Sequence, residues 1–352
     1  MATPFSFESV ADNVAPGGET CLALDRAGNP SVAFSHSGSG RIVVARRNGG
    51  AWAHEDVPNA AVGGGARACL AIDSQGNPHL AFQDLSTQNL IHAIKSSAGS
   101  WSLSTIHTRL TAGHPPGAVF GVAFALHPGR HDPGSRDVGY FAYVDPTTDG
   151  IRFAHTGNLG PTPINVEFGA TDQTQYADPA VTFDPSEGFF LAYIGRWGTG
   201  GAAQTSVRLT HISNIEQGTF AQPQVIEDSR SINVRQRPSV ARTFSDGCVA
   251  YFDSANKMLK AFISSAGIEA VATNINTLVT PSAAANASGG FSIAYADADA
   301  IKLASRSTSG AWTTEIVDAV NGAGAPSLGY YNSTAHIAYL ANGRMKYATR
   351  SE

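Results

Sequence analysis

One short pattern recurs along the chain, and it is clearest in its first two copies. Cys21-Leu-Ala-Leu-Asp25, Gly28-Asn-Pro30 and Ser31-Val-Ala-Phe34 are answered by Cys69-Leu-Ala-Ile-Asp73, Gly76-Asn-Pro78 and His79-Leu-Ala-Phe82. A repeat of this size means stacked or radial units, because no single unit can bury its own apolar face. It constrains architecture far more than activity, since sites are grafted onto scaffolds.

Each unit reads as four short strands. In the first copy Cys21–Asp25 precedes a Gly-Asn-Pro turn, Ser31–His36, a Gly/Ser turn, Arg41–Arg47, an Asn-Gly-Gly turn and Ala51–Val57. Alternating apolar residues bounded by turn formers mark strands. No stretch carries helical periodicity with caps, so the chain reads as all-β.

The second strand supplies a ruler. Its aromatic falls at Phe34, Phe82, Tyr143, Tyr193, Tyr251, Tyr295 and Tyr339, each after an Ala, with intervals of 48, 61, 50, 58, 44 and 44 residues. Propeller blades run about 40–50 residues with four strands each. The two long intervals contain His127–Asp137 in the third unit and a Gly-rich excursion, Gly195–Ser206, in the fourth; Asp228–Gln236 lengthens the next crossing. The last unit stops after its third strand, Met345–Ser351, while an orphan strand, Phe5–Ala11, opens the chain. The expectation is a single domain over 1–352: a seven-bladed β-propeller of four-stranded blades starting near 20, 68, 118, 178, 238, 281 and 326. Residues 5–11 complete the seventh blade and so remove a free sheet edge.

The Leu-Ala-Leu-Asp…Gly-Asn-Pro…Ala-Phe/Tyr-x-Asp pattern, the Met345-Lys-Tyr-Ala-Thr third strand and the Gly-x-Trp opening of the fourth resemble the repeats of sialidase-like and bacterial or fungal lectin-like propellers. The resemblance spans nearly the whole chain and implies the fold. The sialidase Asp-box, Ser-x-Asp-x-Gly-x-x-Trp, is absent, so that activity is not carried over.

Charged residues make up only 14% of the 352, and the net charge of -5 comes without a basic run, which argues against nucleic acid. No segment approaches the ~20 apolar residues of a membrane span. Met-Ala-Thr-Pro-Phe lacks the features of a signal peptide. The chain reads as cytoplasmic, or as a secreted one expressed without its signal. Three cysteines make no disulfide framework; Cys21 and Cys69 share one repeat position and read as small buried thiols, and bridging them would need Cα atoms within about 7 Å. No zinc spacing occurs, and neither cofactor nor metal is expected. Asn286-Ala-Ser and Asn332-Ser-Thr are sequons of the kind that arise by chance.

Strand order puts the loops between second and third strands, and the crossovers between units, on one rim; the Gly-Asn-Pro turns lie on the other. By family analogy ligands sit over the channel on the crossover side. Crossovers offer Glu19, Arg67, His114, Tyr176, Asp178, Arg235 and Arg237, while those before the sixth and seventh units carry no charge. His36, Asp84, Asp145, Arg196, Trp197, Asp253 and Asp297 belong to the other loops of that rim.

Repetition separates scaffold from site. Trp52, Trp101 and Trp312 open outer strands and read as blade packing. Asp84, Asp145, Asp253 and Asp297 recur two residues after the aromatic and read as Asx-type turn formers, with a ring of channel carboxylates as the alternative. Asp25, Asp73 and Asp184 read as turn residues of the far rim. Trp197, beside Arg196, either stacks on a ligand as a lid or packs over the rim.

The non-repeated His114 and Tyr176 suit proton transfer, and Arg67, Arg196, Arg235 and Arg237, with Asp178 and Trp197, suit binding of a carboxylate-bearing ligand. Alternatively His114 is a solvent-exposed loop residue, and Arg235 and Arg237 only pair with Glu227, Asp228 or Asp178. The set is similar in residue types to propeller polysaccharide lyases such as ulvan lyases, which implies β-elimination from a uronic acid. Three function classes follow: a single-site lyase or hydrolase acting on a sugar acid or similar small polar substrate, a non-catalytic carbohydrate- or protein-binding propeller, and a cyclase-type enzyme with an apolar pocket. The expected partner is a small molecule or glycan, with neither nucleic acid nor membrane.

Overall fold

The computed structural model describes residues 3–15, 19–61, 68–108, 121–132, 136–145, 148, 150–156, 164–167, 175–184, 188–197, 204–214, 219–229, 234, 236–307, 309–320 and 322–352. Seven antiparallel sheets follow one another along the chain, each ordered by sequence from an inner to an outer strand. The inner strands are Cys21–Leu24, Ala68–Ile72, Val122–Asp132, Gln175–Asp184, Ser239–Arg242, Ser282–Ala285 and Ser327–Tyr331. The chain is a seven-bladed β-propeller, and its ends close the ring. Ser6–Ala11 lies antiparallel to Arg344–Ser351, pairing Phe7 with Ala348 and Glu8 with Tyr347, as the outer strand of the seventh blade. Among the described residues no helix is long and apolar enough to cross a membrane.

Two segments read as loop excursions are strand where the structure describes them. The third-blade hairpin stays paired out to Asp132 opposite Arg136, with a register shift after His127. In the fourth blade the second and third strands stay paired out to Trp197 opposite Gln204. The outer position of that blade is divided between Thr219–Phe220 and Gln224–Ser229, both paired with Gln204–Asn214.

The second strand shows why the Ala-aromatic pair repeats. Pro30–Ser35, Pro78–Asp84 and Gly247–Asp253 are buried at every residue, because neighbouring blades cover both faces. Ala33, Ala81, Ala142, Ala192, Ala250, Ala294 and Ala338 are each 0% exposed. A larger side chain there would collide with the adjacent blade.

Two sets of polar latches join successive blades. On the crossover rim the second-strand tyrosine donates to a carboxylate from the preceding blade, which also holds a base from the third strand. Tyr251 and Lys260 meet Glu227 at 2.6 and 2.8 Å, and Tyr339 and Lys346 meet Asp318 at 2.6 and 2.9 Å. Tyr193 and Arg208 share Glu167 in the same way. Burial, then the neighbouring carboxylate, raises these three phenols far above their ordinary pKa, so they remain donors.

On the turn rim the outer-strand tryptophan takes the tyrosine's part. Trp52 donates to Glu8 at 2.9 Å, Trp101 to Glu55 at 2.8 Å and Trp312 to Glu269 at 2.8 Å. Arg47, Lys95 and Arg306 complete the three latches. Phe5 stands in for tryptophan in the seventh blade, with the Arg350 guanidinium 4.5 Å from its ring centre.

The Gly-Asn-Pro turns are built identically. Asp25 Oδ1 accepts the amides of Ala27 and Asn29, and Asp73 Oδ1 those of Gln75 and Asn77. Gly28 and Gly76 take φ of 81° and 83°, which explains the invariant glycine of the motif. Asp84 and Asp253 likewise cap the following turn through Ser86 and Ala255, whereas Asp145 and Asp297 pair with Arg152 and Lys302 at 2.6 Å.

Candidate functional site at the channel mouth

The inner strands line the channel, and their equivalent positions make its chemistry readable. The first column holds Cys21, Cys69, Ala123, Ala180, Ser239, Ser282 and Ser327. Its polar members stitch each blade to the next. Ser239 accepts the Ala283 amide at 2.8 Å, Ser282 that of Leu328 at 2.9 Å, and Ser327 that of Leu22 at 2.9 Å. Cys21 Sγ accepts the Leu70 amide at 3.1 Å, and Cys69 Sγ donates to the Val122 carbonyl at 3.3 Å. The cysteines thus occupy a serine position and are free thiols. Burial, then the neighbouring Cys69, pushes the Cys21 thiol up to about 12, so it is no nucleophile at neutral pH.

Two residues upstream of this column, among the described residues, lies the ring that faces the crossover mouth: Glu19, Gly121, Asp178, Arg237, Thr280 and Ala325. A cavity of about 150 Å³ opens there, with contributions from all seven blades, Glu19, Thr20, Arg237 and Thr280 among them. Arg237 crosses to Glu19 at 2.9 Å, and its other terminal nitrogen lies 3.9 Å from Cys69 Sγ. Its partner is therefore Glu19 rather than Glu227, Asp228 or Asp178; Glu227 serves the Tyr251–Lys260 latch and Asp178 binds Arg196. Thr20 donates to the Ala325 carbonyl at 2.7 Å and Thr280 to Gln236 at 3.2 Å.

Asp178 binds Arg196 at 2.9 Å from a strained backbone, with φ of 51° just before Pro179 and a register shift between Ala177 and Ala180. The bulge forces glycine on its neighbour. A Cβ on Gly121 would lie 2.8 Å from Pro179 Cδ and 3.0 Å from Asp178 Cα.

Tyr176 is 5% exposed and belongs to the core between the third and fourth blades. Its ring meets Tyr193 edge-on at 5.7 Å and lies under the Arg208 guanidinium at 5.3 Å. Trp197 continues the second strand of the fourth blade opposite Gln204. His114, Arg67 and Arg235 lie outside the described residues. Among the rest, the fold brings Arg237 to the channel and joins Asp178 to Arg196, but packs Tyr176 into the blade interface. Glu19 and the Ser/Thr column gain an importance that their bland local sequence hides; aligning the repeats column by column exposes them. No three His, Cys, Asp or Glu residues gather to hold a metal ion among the described residues.

No protein-family model matches the chain, and no curated protein matches it in sequence. Solved structures share its fold at low identity. A catalytically inactive virginiamycin B lyase from Staphylococcus aureus with quinupristin aligns at TM-score 0.60 and 12% identity over 99% of this chain and 100% of that one. An α-L-arabinanase from Penicillium chrysogenum complexed with arabinobiose aligns at 0.59 and 13% over 98% of both chains. AofleA from Arthrobotrys oligospora aligns at 0.52 and 10% over 91% of both. The chain is similar to all three in fold alone.

Proposed function

We propose that the protein is a single-site enzyme of the lyase or hydrolase class, acting at the crossover mouth on a sugar acid or similarly small, carboxylate-bearing substrate. The observation that supports this reading is Arg237, a guanidinium held in the channel by Glu19, beside small hydroxyl side chains. A substrate carboxylate competes for the same guanidinium edge and gains charge-assisted hydrogen bonds. Neutralising it acidifies the adjacent C–H bond. Removal of that proton then expels the oxygen substituent one carbon further on, and the departing oxygen takes up a proton.

In this scheme His114 accepts the proton and Tyr176 donates one. Arg67, Arg196, Arg235, Arg237, Asp178 and Trp197 hold the substrate. Of these roles that of Tyr176 is the first to test, because its ring packs inside the blade interface. Fold relatives that include a lyase and an arabinobiose-bound arabinanase agree with the class of reaction, at identities that carry no residue roles.

A second reading, carbohydrate binding without catalysis, draws on a cleft of about 370 Å³ between the first two blades, where Asn29, Arg46, His54, Glu55 and Lys95 converge. Such a polar cleft suits a hydroxyl-rich ligand.

The experiment is a thermal-shift comparison of uronate and neutral oligosaccharides on the wild type and Arg237→Met, because a ligand of the native state raises the melting temperature. Stabilisation by uronates alone, lost in the variant, is the expected result. Equal shifts from uronate and neutral sugars would overturn it. Turnover that survives in both His114→Ala and Tyr176→Phe removes those two roles, and binding without turnover moves the protein to the second reading.

A further inference from the structure

The opposite mouth of the channel carries a second, larger site. A cavity of about 460 Å³ opens on the turn rim, walled by the first four blades, within the size range of small-molecule pockets. Its wall comes from the fourth column of the inner strands. That column holds Leu24, Ile72, Leu126 and Phe183 in blades one to four, all half-buried, and Arg242, Ala285 and Tyr330 in blades five to seven.

The scaffold therefore does not require large apolar side chains at this position, since the same fold accepts arginine and alanine there. Leaving four of them side by side at a solvent-facing concavity forgoes hydrophobic stabilisation that a bound apolar surface would recover. Repetition also fails beside this arc. Where the first and second blades turn at Asp25 and Asp73, the third continues as a paired hairpin to Asp132 opposite Arg136.

The polar edge is acidic. Among the described residues, Asp25, Asp73 and Asp137 border the cavity with Arg26 as the one guanidinium. Their geometry is fixed: Asp25 and Asp73 by their Asx turns, and Asp137 by the amide and hydroxyl of Ser74, both at 2.7 Å. Buried behind the wall, His79 meets Asp73 at 3.4 Å and His92 at 3.2 Å, and His92 packs against Phe124 of the same cavity.

We propose that this mouth binds a cationic amphiphile: a small organic molecule with an apolar body laid on the Leu24–Ile72–Leu126–Phe183 arc and an ammonium or similar head at the Asp25 carboxylate. This site is separate from the carboxylate-binding mouth at Arg237, and its chemistry is of opposite sign.

Isothermal titration with monomeric butyl-, hexyl- and octylammonium, octanoate and octanol tests it on the full chain. Affinity is expected to rise about fourfold per added methylene, and octylammonium to bind at least tenfold more tightly than octanoate. Leu126→Ser is expected to weaken octylammonium binding about tenfold or more. Asp25→Asn, which keeps an oxygen for the turn amides, is expected to weaken it severalfold while leaving octanol unchanged. A chain-length series without a trend, equal affinity for octylammonium and octanoate, or unchanged binding in folded Leu126→Ser would each overturn the proposal.

Discussion

Arg237 of the fifth blade reaches Glu19 of the first at 2.9 Å, an ion pair spanning the channel rather than an interface between adjacent blades. Both side chains keep only a little solvent contact, 22% and 14%, so removing one partner strands the other in a poorly hydrated site. Glu19→Gln and Arg237→Met are each expected to lower stability by about 1–3 kcal/mol, less than a fully dry pair would lose. The double variant should lose less than the sum. Urea melts arranged as a double-mutant cycle measure the coupling, and strict additivity would show that the pair contributes nothing.

Cys21 stands where other blades use serine. Cys21→Ser preserves an acceptor for the Leu70 amide and is expected to change stability by less than about 1 kcal/mol. Cys21→Val leaves that amide without its acceptor and is expected to cost about 1–3 kcal/mol. Denaturation midpoints of the two variants decide whether the column acts through hydrogen bonding; equal losses would point to volume instead.

Trp312 and Arg306 converge on Glu269 of the preceding blade, with the indole at 2.8 Å. Hydrogen bonds from both hold the Glu269 carboxyl below its ordinary pKa, Arg306 leading. Trp312→Phe keeps most of the ring and removes the donor, with an expected loss of about 1 kcal/mol. Glu269→Gln should cost more, because it also releases Arg306. Thermal melts of the two variants at matched salt test that order.

His336 is 7% exposed, and its Nδ1 shares a hydrogen bond with the Tyr347 hydroxyl. Its Nε2 has no hydrogen-bond partner among the described residues. Burial, then the charge of Arg47, lowers its pKa from 6.5 to about 4. The folded state thus disfavours protonation more than the unfolded one does. The stability tied to neutral His336 is full above about pH 6.5 and is lost as the pH falls towards 4. Its size is on the order of 2–3 kcal/mol. His336→Gln cannot titrate, so its melting temperature should fall less steeply than the wild type's between pH 7 and pH 4.5; parallel profiles would refute the assignment.

Much of the ring was legible because repetition amplifies weak strand signals. No single Val-Ala-Phe or Ile-Ala-Tyr specifies a blade, but seven in a fixed column do. The column also identifies its own constraint, the fully buried alanine. The tryptophans read correctly as packing, yet their partners were not evident. Trp52, Trp101 and Trp312 find glutamates 44, 46 and 43 residues upstream, about one repeat away, so the pairing depends on how a blade packs against its predecessor. The third-blade insertion misled in another way. His127–Asp137 contains glycine and proline and reads as a loop, but cross-strand pairing carries most of it as a hairpin.

By itself the sequence determined the number of blades, the closure of the ring by its two ends and the division between repeated scaffold and irregular residues. Those properties follow from local alternation and turn chemistry, which every copy states for itself. Only the tertiary structure decided that Arg237 belongs to Glu19, that Tyr176 is interior and that the apolar arc lies on the turn rim. These depend on the circular order of blades and on which face each inner-strand side chain presents. Residues far apart in the chain become neighbours only when the ring closes.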